Sequence, residues 1–235
     1  MTQVDGEEIE RSIGSNTEVF FLVFDQRDNI IELKRKELDQ SGLKEKGTYI
    51  YSILPLSQGQ YKYRIVLRDM KTGKGAVAQY SAKMPEYPEQ GLKLFPPFLL
   101  THGKSGLFVR GHIPKTKDNK SPLLDYYPFD PAEYAPILTR IPVGSRSIFA
   151  IINCYISNLS NPQVQFTAEL IDKETGRSTP LTLSIQSGKR GGNIGTVLAK
   201  LELPNLDEGE YVLLLTAEDT VSKAQSQASI ACRVF

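Results

Sequence analysis

The sequence of 235 residues contains no tryptophan, only two histidines and only two cysteines. Each scarcity narrows the chemistry. A metal centre needs more ligands than His102 and His112 supply, and no tight cluster of Cys, Asp or Glu stands near either of them in the sequence. Carbohydrate platforms lean on tryptophan, so its absence weakens a sugar-binding reading. No apolar run approaches the ~18 residues of a membrane-spanning helix. Basic and acidic residues nearly balance, 28 against 27, leaving a net charge of +1. No global field therefore draws the chain to nucleic acid or to an anionic membrane. The polar, acidic stretch Met1–Asn16 lacks the apolar core of a secretory signal. Either the protein is cytosolic, or this chain is a fragment or a mature form with its signal removed; a first domain with under about 70 residues of strand-like sequence favours the fragment.

What is present is a repeat. Leu54-Pro55-Leu56-Ser57-Gln58-Gly59-Gln60-Tyr61 precedes an apolar strand ending at Asp69. Leu203-Pro204-Asn205-Leu206-Asp207-Glu208-Gly209-Glu210-Tyr211 precedes another ending at Asp219. Gly59, Tyr61 and Asp69 keep the spacing of Gly209, Tyr211 and Asp219. A Gly-x-Tyr turn that feeds a long strand has the form of the tyrosine corner of Greek-key sandwiches, where the phenol hydroxyl binds backbone upstream. The glycine is expected to take a backbone angle that a side chain would forbid.

The rest of the chain alternates with period two, the strand signature. Thr17–Asp25, Ile30–Leu38, Thr48–Leu54, Tyr61–Asp69 and Ala76–Met84 read as strands of a first domain. Lys34–Leu43 is the best helix candidate. The pairs Thr72-Gly73 and Thr175-Gly176 mark turns. Met84–Gly91, with two prolines, reads as a linker, and Leu92–Leu100 as an edge strand because Pro96-Pro97 removes ladder donors. Residues 101–144 form a long irregular insertion, expected to be a packed cover through its aromatics and prolines. Strands resume at Ser147–Ile156 and continue to Val234. The glycines at 188, 191, 192 and 195 suggest a hairpin tip. The fold class is all-β: two tandem immunoglobulin- or fibronectin-III-like sandwiches over 1–84 and 92–235, joined by 85–91, the first lacking N-terminal strands or completing itself with 1–16.

The repeats, together with Tyr127-Pro128-Phe129-Asp130-Pro131-Ala132-Glu133-Tyr134-Ala135-Pro136, resemble the C-terminal region of bacterial proteins named for a von Willebrand factor A-related domain. In that family a metal-binding A-type domain precedes immunoglobulin-like sandwiches. The resemblance implies an exported, extracytoplasmic location. It does not bring cation-dependent binding, because no Asp-x-Ser-x-Ser motif occurs in this sequence.

Catalytic constellations fail on their own terms. No Gly-x-Ser-x-Gly elbow occurs. Gly103-Lys104-Ser105 ends like a phosphate loop, yet Phe98 stands where the first glycine belongs. Gly188-Lys189-Arg190-Gly191-Gly192 could cradle an anion but reads more simply as a hairpin tip. Cys154 and Cys232 read as buried free thiols, with a disulfide between them as the alternative. Lys34-Arg35-Lys36 and the lysines at 115, 117 and 120 lack the aromatics of a nucleic-acid surface. The expected function is a non-catalytic structural or interaction module, without cofactor, whose partner is a protein or cell-surface component. The alternative is a carbohydrate- or ligand-binding module using Tyr126, Tyr127, Phe129 and Tyr134. The repeat generates one prediction: removing the hydroxyl in Tyr211→Phe costs about 1–3 kcal/mol without changing the fold. Chemical denaturation monitored by circular dichroism measures the cost, and an unchanged midpoint would contradict it.

Overall fold

The computed structural model describes residues 2–4, 16–38, 48–51, 56–102, 107–110, 129–130, 133–138, 140–159 and 161–235. In chain order the strands are β1 (Thr2–Val4), β2 (Thr17–Phe24), β3 (Ile30–Glu37), β4 (Thr48–Tyr51), β5 (Gly59–Asp69), β6 (Gly75–Met84), β7 (Gly91–Leu94), β8 (Phe98–His102) and β9 (Leu107–Arg110). They continue with β10 (Tyr134–Ile137), β11 (Arg140–Ile141), β12 (Ser147–Ser157), β13 (Val164–Asp172), β14 (Ser178–Leu181), β15 (Leu183–Gly191), β16 (Ile194–Glu202), β17 (Gly209–Asp219) and β18 (Gln225–Val234). The described residues contain no helix, and Lys34 to Glu37, expected as the start of one, lie in β3.

Two compact units divide the chain. The first comprises 1–86 together with 105–119, and the second 87–104 together with 120–235. The strand β9 thus returns from the expected insertion of the second unit to the first, where it pairs in parallel with β4. On the other side of β4 lies β1, so residues near the N-terminus do supply a short strand.

In the second unit one sheet runs β10-β8-β12-β16-β15, with β7 also on β12, and the other β11-β18-β17-β13-β14. The order β8-β12-β16-β15 is A-B-E-D of an immunoglobulin sandwich. The facing sheet is G-F-C, extended by a C′ strand beyond β13 and a short parallel strand beside β18. Strict alternation buries Tyr211, Leu213, Leu215 and Ala217 of β17 against Ile148, Ala150, Ile152 and Cys154 of β12. Leu92–Leu100 is two strands rather than one. Because β8 lies between β10 and β12, it is an interior strand, not the expected edge. The two prolines occupy the break between β7 and β8, where no ladder donor is needed.

The first unit repeats the G-F-C-C′ arrangement as β6-β5-β2-β3. Its core gathers Val19, Phe21, Leu38, Ile50 and Leu67, with Ile65 packed against them.

One turn recurs in both units. After Asp69, Asp172 and Asp219 the carboxylate accepts from the amides two and three residues on, and the Asp amide donates to the carbonyl five residues on. The fourth residue after each Asp adopts a left-handed conformation: Gly73 (φ 72°), Gly176 (φ 71°) and Lys223 (φ 62°). A side chain there costs ~1–2 kcal/mol, partly offset by the larger unfolded-state entropy of glycine. The exposed Lys223 ammonium gains little from Glu218 at 3.6 Å. Lys223→Gly is therefore expected to stabilise the second unit by about 0.5–1 kcal/mol. Gly176→Ala is expected to destabilise it by a similar amount, and equilibrium denaturation reads both.

Candidate functional site

The repeated residues occupy equivalent places. Tyr61 and Tyr211 each stand two residues into their strand, and each hydroxyl donates to a carbonyl four residues upstream. The distances are 2.9 Å from Tyr61 to Ser57 O and 3.1 Å from Tyr211 to Asp207 O. Tyr211 is buried and Tyr61 half-buried. The backbone angle expected of the glycine is found at Gly59 (φ +154°) but not at Gly209. A Cβ built on Gly209 would meet the Tyr211 ring at 3.5 Å, an ordinary contact, so conformation does not explain that glycine.

Asp69 and Asp219 do more than close a turn. Both are buried, and a buried carboxylate must find donors or lose its charge. Asp219 Oδ1 accepts from the Gln163 amide at 2.7 Å, and Thr220 N returns a bond to Gln163 O at 3.0 Å. In the first unit Asn16 takes the place of Gln163: its amide bonds the Asp69 carboxylate, and Met70 N donates to Asn16 O at 2.9 Å. One side chain thus joins the β5–β6 or β17–β18 turn to the start of the neighbouring strand, β2 or β13. The Ser222 hydroxyl holds the Asp219 pKa below its ordinary value, and the Thr72 amide does the same for Asp69.

Sequence reasoning missed Glu18. It is 0% exposed, on β2, yet points to the face opposite Val19 and Phe21. Arg68 donates to it from β5 (Nε to Oε1, 2.8 Å) and Arg35 from β3. Both guanidiniums also lie near the Phe20 ring, at 5.3 and 6.0 Å from its centroid. Burial pushes the Glu18 pKa up, but the two arginines outweigh it and hold it below the ordinary range. The available signal was an acidic residue inside the otherwise apolar run TEVFFLVF.

The aromatic candidates separate. Tyr126 and Tyr127 lie outside the described residues. Phe129 is 2% exposed, its ring 6.4 Å from Phe98 and 6.5 Å from Tyr134. Tyr134 packs edge-on against Phe149 at 5.0 Å and His102 at 5.2 Å. These rings cover the outer face of β12 and β8, which explains why Ile151 and Phe149 are buried although they point away from the main core. A sugar cannot stack on Phe129, so the expected platform fails at that residue. A more open aromatic pair is Tyr87, 54% exposed, against Tyr155 at 4.7 Å.

His112 and 103–106 lie outside the described residues. Gly192 and Asn193 form the tip of the β15–β16 hairpin, and the neighbouring glycines belong to its strands. Cys154 and Cys232 are free and buried, and burial pushes each thiol up to about 11. Among the described residues no group of three or more His, Cys, Asp or Glu side chains is placed to hold a metal, and no helix is long and apolar enough to cross a membrane. Two shallow depressions on the first unit, of about 340 and 250 Å³, are lined mainly by polar side chains such as Asp25, Gln60, Lys62 and Gln79.

The strand order and the two cores define a protein of immunoglobulin-like β-sandwiches. No protein-family model matches the chain, and no curated protein matches it. A solved structure, "Zebrafish RET Cadherin Like Domains 1 to 4", aligns with 97% of this chain at 10% identity and a TM-score of 0.27. The chain spans 43% of that structure's length, and a likeness this distant carries no weight for function.

The carboxylates set a pH dependence. Glu18, Asp25, Asp69, Asp172 and Asp219 all have folded pKa values below their ordinary ones, 4.5 for Glu and 3.8 for Asp. Their contribution is complete above those ordinary values and is lost as pH falls through the lower, folded ones. Thermal melts are expected to be flat from neutral pH down to about 5 and to fall steeply below 4. A melting temperature that rises on acidification through this range would contradict the assignment.

Proposed function

We propose that this chain is a non-catalytic structural or interaction module of an exported bacterial protein, in which two sandwiches space or present a neighbouring element at the cell surface. The two Gly-x-Tyr turns act as tyrosine corners within that scaffold. The observation that carries this reading is where the perturbed carboxylates are used. Displaced pKa values usually mark groups kept ready for chemistry. Here Asp69, Asp172 and Asp219 take theirs from hydrogen bonds that close turns and join strands, Asp25 from Asn29 and Arg27 in its own turn, and Glu18 from a cross-strand pair of arginines. Each is engaged by the fold.

The export part of the reading rests on the resemblance to von Willebrand factor A-related proteins, carried by the repeats and the 127–136 stretch. The burial of Phe129 argues against the ligand-binding alternative. Fractionation of the native host tests the location: the protein is expected with periplasmic or cell-surface markers, and recovery in the cytosol would overturn export. A soluble glycan panel tests the module: no saturable binding is expected, and a glycan bound at about 1 mM or tighter would overturn the non-ligand reading.

A further inference from the structure

Sheet edges present unpaired amides and carbonyls, and folded proteins normally blunt them with charge, proline, bulges or brevity. Most described edges here follow that rule. β3 carries Glu32, Lys34, Arg35, Lys36 and Glu37, β14 is short and holds Pro180, β10 is short and holds Pro136, and β15 carries a bulge at Gln186 and, further along, Lys189 and Arg190. The edge of β18 is occupied by β11 at Arg233–Val234 and approached by β7, whose Leu94 amide bonds the Ser226 hydroxyl at 2.9 Å. β6 departs from the rule. It is ten residues long and its pairing with β5 has no bulge. From Gly75 to Ala82 it has neither charge nor proline, with Val77 63% and Tyr80 73% exposed.

The ladder fixes which groups face out. Asp69 N donates to Lys74 O at 2.8 Å, so hydrogen-bonded pairs with β5 continue at every second residue, through 76, 78, 80, 82 and 84. Gly75, Val77, Gln79, Ser81 and Lys83 therefore turn their amides and carbonyls to the open edge. The equivalent strand of the second unit uses the same parity: Phe235, an odd-numbered residue on the outer side of β18, bonds Ile141 O and the Val143 amide.

We propose that two copies of this chain associate by pairing β6 with β6, antiparallel about Gln79, to join two four-stranded sheets into one. The register is self-complementary. Gln79 meets its own copy on the two-fold axis, Val77 meets Ser81 and Gly75 meets Lys83, all through outward-facing backbone groups. Lys74 falls opposite Met84, so no lysine faces a lysine. Tyr80 falls in a closely spaced pair with Ala78, whose small side chain leaves room for the ring. Neither the cellular location nor the absence of catalysis enters this inference.

Sedimentation equilibrium of the full chain, from micromolar to about 1 mM, tests it. The parent is expected to show a concentration-dependent dimer. Gln79→Lys places two ammonium groups together on the axis and is expected to weaken association at least about tenfold. Gln79→Pro removes the outward amide, together with the exposed hydrogen bond that Arg64 donates to the Gln79 side chain at 3.1 Å, and is expected to act likewise, with circular dichroism confirming that each variant is folded. Gln186→Lys, on the edge strand β15, should leave the dimer intact. A parent that stays monomeric throughout, a dimer that survives both Gln79 substitutions, or one equally lost in Gln186→Lys would overturn the proposal.

Discussion

A buried aspartate at the end of the central strand of each unit is the constraint on which the rest depends. Asp69 and Asp219 are enclosed, and a carboxylate in that position is tolerable only if donors satisfy it. The donors come from two different places in the sequence: the following turn and the residue that opens the neighbouring strand. Strand start, strand end and hairpin are therefore positioned together. The tyrosine at the other end of the same strand fastens the incoming chain by its hydroxyl. The strand that carries both fixed points is eleven residues long in each unit, and its alternation delivers one face to the core.

The two units apply this device over cores of different construction. The second has a full A-B-E-D sheet behind it, with an aromatic cover of Phe129, Tyr134 and Phe149 over the outer face of that sheet. The first faces its four-stranded sheet with three strands, one of which, β9, comes from the segment after β8. It also carries Glu18, whose charge is held between two arginines that themselves lie near Phe20.

Much of the fold was legible because its signal is local. The repeated Gly, Tyr and Asp marked the two central strands and their ends at Asp69 and Asp219, although each strand begins at the glycine, two residues before the tyrosine expected to open it. Turn chemistry located Gly73 and Gly176, although Asp69 and Asp219 were read only as strand ends, Asp172 was not read as their equivalent, and Lys223 hid the third copy by replacing the glycine. What escaped was non-local. Nothing in the composition of 107–110 announces a parallel partner for β4, and Pro96-Pro97 suggested an edge although the strands on either side both pair with β12. The role of Phe129 depended on burial, which an aromatic-rich loop does not reveal. Glu18 depended on two arginines, seventeen and fifty residues away.

The most direct test of the aspartate as a junction, rather than a turn cap, is amide hydrogen exchange of the full chain with and without Asp219→Ala. Exchange is expected to accelerate at Gln163 and Ser222 and along β13, β17 and β18 together, while the amides of β2 and β5 stay as they were. Acceleration confined to residues 220–224 would contradict the account, because the carboxylate would then hold only its own turn.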